Sequence, residues 1–254
     1  MARLSAKFVL VLFLVGTARA EWAVTASEAE QGFTGTEHRR IELSDGATGE
    51  GATLDLALFS TKSATVRVID NPTGKDDLAA VMRREKCLAG VNGGYFDPED
   101  KPVGLLVSDG RVIAPLRKAR LLSGVMLVSN GPLQLLRTAE YSSKRKPTAA
   151  LQCGPFLMDR GQPVPGLNDT RPARRTFILT SASDRAAIGF CSGVTLAQLA
   201  KILSTPELSP GLKAQRALNL DGGSSSAFGF TGEREAFSIP EQKTVRNFVV
   251  IVPK

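Results

Sequence analysis

Ala217-Leu218-Asn219-Leu220 is a mostly apolar run that ends on Asp221, and behind the acid come Gly222, Gly223 and three hydroxyls, Ser224 to Ser226. A buried strand that delivers a carboxylate onto paired glycines sets charge beside bare backbone amides, with serines able to donate to an anion. That pattern suits a sugar or a phosphate. A second segment repeats the logic: Val91 leads into Asn92, Gly93, Gly94 and Tyr95. Paired glycines reach conformations closed to other residues and let a ligand approach the main chain. Each pair alone also reads as a tight turn, with Asn92 or Asp221 as the turn former. Two further segments strengthen the functional reading. Gln152-Cys153-Gly154-Pro155 again ends an apolar strand on glycine, and Arg171-Pro172-Ala173-Arg174-Arg175-Thr176 supplies guanidinium forks that match phosphate oxygens in pairs. Strand alternation sends only one of Arg174 and Arg175 into a site, and Arg175 is favoured.

Several chemistries are excluded by what is missing. The chain has one histidine, His38, set in Glu37-His38-Arg39-Arg40, which reads as a solvated strand edge. Ser-His-Asp and Cys-His catalysis both need an imidazole beside the nucleophile. Cys87, Cys153 and Cys191 show no C-x-x-C spacing and His38 is the one imidazole, so a zinc site of ordinary ligand type is not expected and no cofactor is expected; the sequence leaves a structural ion open. No glycine follows Ser224 as a nucleophile elbow requires, no P-loop lysine follows a glycine loop, and no calcium-loop pattern surrounds Asp221. The chemistry is left to carboxylates, amides, hydroxyls and arginines.

The elements that position these groups are mainly strands. Arg39–Leu43, Thr53–Phe59 and Thr65–Ile69 show alternation or β-branched enrichment, and Asp76–Cys87 has helical spacing with acids at its start. Asp109-Gly110 predicts a two-residue hairpin, Ser183-Asp184 a second, and Thr195 caps a helix running to Leu203. Ala149–Met158 reads as one strand, and Arg216–Leu220 and Phe248–Val252 as two more. Strands do not alternate regularly with helices, which predicts a single α+β domain over residues 37–254, built on a mixed, mostly antiparallel sheet with a few flanking helices. Residues 21–36 are small and polar without a period and read as a loosely ordered N-terminus.

Residues 1–20 carry Arg3 and Lys7, an apolar run from Phe8 to Val15, and Ala18-Arg19-Ala20, the pattern of a cleaved secretory signal peptide too short to span a bilayer. The expected location is periplasmic or secreted, without stable membrane insertion. An oxidising compartment permits one disulfide and one leftover thiol among the three cysteines, whose pairing the sequence does not give. Loss of Arg3, Lys7 and Arg19 lowers the formal charge from +7 to +4. So mild an excess suits acidic sugars or phosphates. With 6% aromatics for stacking, nucleic acid is disfavoured, and nothing points to a partner protein.

Taken in order, Val91-Asn92-Gly93-Gly94-Tyr95-Phe96, Pro102-Val103-Gly104 with Asp109-Gly110, Cys153-Gly154-Pro155-Phe156-Leu157, Arg174-Arg175-Thr176 and Asn219-Leu220-Asp221-Gly222-Gly223-Ser224-Ser225 resemble the phosphodiester glycosidase family. The resemblance runs from about Glu85 to the C-terminus. It departs at Ser224, where many relatives have a third glycine. It implies a hydrolase that cleaves the sugar–phosphate bond of a glycosyl-1-phosphodiester in a glycan or envelope polymer. On that reading Asp221 is base or nucleophile at the anomeric centre, Asn92 positions a sugar hydroxyl, and Tyr95 walls the sugar. Arg175 and the amides of Gly222, Gly223 and Gly154 hold the phosphate, with Gly93, Gly94, Arg174 and Ser224 completing the substrate site. A phosphate monoester is a good leaving group, so one carboxylate suffices. Two alternatives stand beside it: an envelope module that binds phosphorylated or acidic glycans through the same amides and arginines without turnover, and a metal-dependent phosphodiesterase using Asp221 with Asp97 and Asp159 or Asp169.

Overall fold

The computed structural model describes residues 22–129, 131–209 and 211–254, so the proposed signal peptide lies outside the described residues. Among the described residues the fold is three antiparallel sheets rather than one mixed sheet, with two α-helices, and is richer in strand than a balanced α+β domain. The first sheet has eight strands in the order β1 (Trp22–Gln31), β2 (Glu37–Asp45), β3 (Gly51–Ser60), β14 (Arg185–Val194), β13 (Ala173–Ser181), β15 (Ala214–Asn219), β11 (Phe156–Asp159) and β12 (Gln162–Pro163). The second runs β7 (Arg111–Ala114), β6 (Leu106–Ser108), β10 (Ala149–Cys153), β8 (Gly124–Val128), β9 (Gln134–Arg137). The third runs β17 (Ala236–Ile239), β16 (Phe228–Thr231), β5 (Ala89–Asn92), β18 (Asn247–Pro253), β4 (Ala64–Asp70).

The large sheet is buried on both faces. Leu54, Leu56 and Leu58 of β3 pack with Leu199, Ile202 and Leu203 of helix α2 (Leu196–Leu203), while Ala57 and Phe59 of the same strand face the core shared with the smaller sheets, among Val91, Leu151, Phe228 and Val249. Period-2 alternation therefore separates two apolar faces here, not an apolar face from a wet one. Helix α1 (Leu78–Glu85) covers the third sheet through Leu78, Val81 and Met82 against Phe248 and Val250. Its cap is Asp77, whose carboxylate accepts from Ala80 N, and Thr195 with Gln198 forms a capping box on α2.

Three expectations are corrected. Residues 22–31 are an ordered edge strand, paired with β2 from Trp22↔Asp45 to Gln31↔Glu37. An edge strand draws its stability from one ladder and needs few apolar residues; apart from Trp22 the strand is largely exposed. His38 is buried, not solvated: its Nε2 lies 2.9 Å from Asp55 Oδ1, and its ring packs against Phe228, Phe230 and Phe237. The 149–158 strand is two. The chain passes from the second sheet to the first across the cis Gly154–Pro155 peptide, giving β10 and β11. The Asp109-Gly110 hairpin forms as expected, with φ of 47° and 76° at its two central residues.

The cysteines are free, and each sits in a different apolar cluster, Cys153, Cys191 and Cys87 in turn. Burial pushes the Cys87 and Cys153 thiols up to about 12 and raises Cys191 as well. Native protein is therefore expected to titrate no thiol with Ellman's reagent at pH 8 within minutes, and three after unfolding in guanidinium. A promptly reacting thiol would contradict the burial.

Candidate active site

The site is built where β15 leaves its sheet. Its register against β13 places Asn219 opposite Phe177, and Leu220 N then donates to Thr176 O at 2.9 Å. One residue later the chain bridges to a different sheet: Asp221 N donates to Gly93 O at 3.0 Å. The Asp221 carbonyl accepts from Asn92 Nδ2 at 2.7 Å, and the Thr176 hydroxyl lies 2.8 Å from it and 2.9 Å from Asn92 Oδ1. Asn92 Oδ1 also accepts from Ala227 N at 3.1 Å. A single buried amide thus ties both ends of the Gly222–Ser226 loop to the end of β5.

With its main chain fixed at both atoms, Asp221 presents a half-buried carboxylate. Oδ1 accepts from Gly222 N at 3.0 Å, while Oδ2 makes no hydrogen bond among the described residues. Burial raises the carboxyl above its ordinary value; Ser225, the positive charge of Lys243 and the Gly222 amide oppose the rise. The Ser225 hydroxyl acts on the carboxyl from outside strict hydrogen-bonding geometry. Beyond the acid, Gly223 sits at φ +68° with open space where a side chain would start, and Ser224 is exposed. Five of the ten buried side-chain polar atoms that make no hydrogen bond among the described residues belong here: Arg174 Nε, Asn219 Oδ1, Ser225 Oγ, Ser226 Oγ and Asn247 Nδ2. Orphaned buried polar atoms are costly, so their concentration marks a place suited to polar ligands.

The structure divides the sequence candidates. Asp221, Gly222, Gly223, Ser224 and Arg175 come together. Arg175 is half-buried; its Nε donates to Val194 O and its Nη2 to Arg171 O, leaving Nη1 beside Gly222, 3.6 Å from where a side chain would begin. Arg174 goes elsewhere, as alternation requires. Its Nη2 donates to the Ser226 and Pro240 carbonyls, and its guanidinium lies over the Phe190 ring, so it rivets the loop instead of meeting substrate.

The Asn92-Gly93-Gly94 segment is a latch, not a second binding turn. Asn92 is wholly buried with its amide committed as described, so it does not position a sugar hydroxyl. The Gly93 and Gly94 amides are also taken, by Asn247 O and Asn247 Oδ1, each at 2.8 Å. These glycines are required by close approach: a side chain on Gly93 would begin 1.9 Å from Asn247 Oδ1. Gly154 is buried, with no room for a side chain beside the Leu121 carbonyl, and its own carbonyl accepts from Tyr95 OH at 2.5 Å and Asn219 Nδ2 at 3.0 Å. Tyr95 remains at the site's wall, its phenol held in that network and raised by burial.

Thr176, Asn219, Asn247 and Lys243 were not assigned roles from sequence. The first two lie inside motifs and could have been found by asking what fixes Asp221. Asn247 reads as the polar lead-in to an apolar strand, and Lys243 as loop. The acids of the metal-dependent alternative do not gather: Asp159 pairs with Arg137 and Arg216, Asp169 accepts from the Thr195 hydroxyl, and Asp97 accepts from the Glu99 and Lys101 amides. No group of three His, Cys, Asp or Glu side chains among the described residues is placed to hold a metal ion.

The family model for phosphodiester glycosidases matches residues 85–252. The chain belongs to the phosphodiester glycosidase family. The residues that fix the Asp221 turn, from Asn92 to Asn247, fall within the matched span. No curated protein matches the sequence. Among solved structures, the catalytic domain of zebrafish N-acetylglucosamine-1-phosphodiester alpha-N-acetylglucosaminidase is similar at a TM-score of 0.65 and 15% identity, over 90% of this chain and 88% of that one. A hypothetical protein from Synechocystis is similar at 0.58 and 13%, over 93% of this chain and 68% of that one. A putative exported protein from Burkholderia pseudomallei follows at 0.53 and 13%, over 82% and 75%. At such identities the likeness is one of fold.

Proposed function

We propose that this phosphodiester glycosidase family member is an exported hydrolase that cleaves the sugar–phosphate bond of a glycosyl-1-phosphodiester in a glycan or envelope polymer. The observation that carries the reading is Asp221: a carboxylate whose main chain is clamped by Asn92, Thr176 and Gly93 while Oδ2 stays free, beside a guanidinium with one uncommitted nitrogen. Export is supported by the signal-peptide pattern of residues 1–20 and the expected location is the periplasm or the exterior.

In the reaction the C1–O bond breaks and its electron pair leaves with the phosphate oxygen, giving a phosphomonoester. Water supplies oxygen to C1: as a base, Asp221 takes the water proton during attack; as a nucleophile, it forms a glycosyl ester, leaves again as the carboxylate when water attacks C1, and the water proton passes to the released phosphomonoester or to solvent. Arg175 Nη1 and the open backbone at Gly223 bear the charge that develops on phosphate. Tyr95 holds the sugar-facing wall.

The test is a panel of glycosyl-1-phosphodiesters incubated with the protein in 18O-labelled water and followed by phosphorus NMR and mass spectrometry. Label in the sugar is expected, and the anomer first released separates base catalysis, with inversion, from nucleophilic catalysis, with retention. Label in the phosphate would mean attack at phosphorus and would defeat the assignment. Saturable binding of the panel without turnover would favour the glycan-binding module.

A further inference from the structure

The segment between β17 and β18 is fastened at almost every residue. Pro240 O accepts from Arg174 Nη2 at 2.7 Å, Glu241 Oε1 from the Leu78 amide opening α1 at 2.9 Å, and Val245 O from Asn71 Nδ2 at 2.9 Å. Gln242 N donates to Ser224 O at 2.8 Å, which ties the segment directly to the loop behind Asp221. Between these anchors stands Lys243, exposed and without a carboxylate ion pair among the described residues. Its ammonium lies 4.9 Å from the centre of the Phe96 ring, two residues past the Gly94 latch, a contact that holds the lysine side chain against this ring. From there its charge reaches the Asp221 carboxyl. Arg175, by contrast, spends two of its three nitrogens on carbonyls. The remaining charged groups around the loop are also occupied: Arg174 by carbonyls and Glu241 by the Leu78 amide.

We propose that Lys243 is the phosphate-recognition and specificity residue of this site, pairing its ammonium with a non-bridging oxygen of the substrate's phosphodiester so that the protein selects a glycosyl phosphodiester over an uncharged glycoside of the same sugar. The proposal rests on the hydrolase reading of Asp221 and adds a residue to it. A lysine suits the task because it acts as a compact point charge on a flexible stem and follows the phosphate as negative charge builds on the departing oxygen.

Two measurements decide it. In the first, wild type, Lys243→Met and Lys243→Arg are compared on the methyl phosphodiester and the 4-nitrophenyl glycoside of whichever sugar the panel selects. Lys243→Met is expected to lower kcat/KM for the phosphodiester by roughly 10- to 100-fold, the range of a charge-assisted hydrogen bond, with Lys243→Arg recovering most of it. Turnover of the nitrophenyl glycoside stays within about threefold, and the melting temperature is unchanged because the side chain is exposed. No loss on the phosphodiester, or an equal loss on both substrates, overturns the proposal. The second measurement needs no turnover: inorganic phosphate is titrated into Asp221→Asn and Asp221→Asn/Lys243→Met by calorimetry. About tenfold weaker binding in the double variant is expected. Equal binding, or none to Asp221→Asn, overturns the role of Lys243. Phosphate binding that depends on Lys243 in a protein inert on the whole panel keeps the anion site and defeats the hydrolase reading alone.

Discussion

Asp221→Asn is expected to lose at least ~100-fold in kcat/KM on the best glycosyl phosphodiester while melting at a higher temperature than wild type at pH 7. The two effects share one cause. Burial disfavours the ionised carboxylate, so the folded protein holds the Asp221 proton more tightly than the unfolded chain does. A carboxyl raised on folding costs stability above its folded value and costs nothing below its unfolded one, where both states are protonated. An amide removes that cost, so the stability gain belongs to neutral pH and closes as the pH falls below the ordinary aspartate value of 3.8. The same displacement sets the acid limb of the wild-type rate profile above that value, since the reaction needs the ionised form. Calorimetric scans at pH 3 and pH 7 with steady-state rates on both proteins check all three statements. Activity within about threefold of wild type would remove Asp221 from the chemistry, and a stability gain as large at pH 3 as at pH 7 would mean that the cost is steric.

How much of this was legible in the sequence follows from how each residue earns its place. Strands whose burial is periodic were found, as were helices with capping residues, because both signals are local. Strand β1 was missed because ladder hydrogen bonds leave no mark on side-chain type, and residues 22–31 look like a polar tail. His38 misled because its neighbours are charged; the three phenylalanines that bury it come from strands almost two hundred residues away. The turn at Asp221 was readable, since an acid on paired glycines after an apolar strand has few other uses. The paired glycines at Asn92 look the same on paper and do something else. Gly223 opens to space, whereas Gly93 and Gly94 close on Asn247, and the approach of β18 distinguishes them. Lys243 carried no local signal: its position depends on a segment tied to Ser224, Arg174 and the first turn of α1 at once.

Asn92→Ala separates the latch from a substrate contact. The side chain is wholly buried and makes three polar contacts across two sheets, to Asp221 O, Ala227 N and Thr176 Oγ1. Alanine leaves the Ala227 amide without its acceptor in a site closed to water, removes one of two donors from the Asp221 carbonyl and opens a cavity. Stranded buried polar groups of this kind cost about 1–3 kcal/mol each, so the expected loss is about 3 kcal/mol, or roughly 6–12 °C in melting temperature for a chain of this size. Activity falls with it by at least ~10-fold, because the loop bearing Asp221 loses the tie between its two ends and a small displacement of a reacting group is expensive. A residue that only touched the sugar would raise KM and leave the melting temperature near wild type, since its removal strands nothing inside the fold. A stable Asn92→Ala protein with an isolated KM defect would therefore return Asn92 to the substrate. Loss of both together, in a variant whose remaining folded fraction still binds phosphate through Lys243, would establish that this asparagine works by holding Asp221 in place.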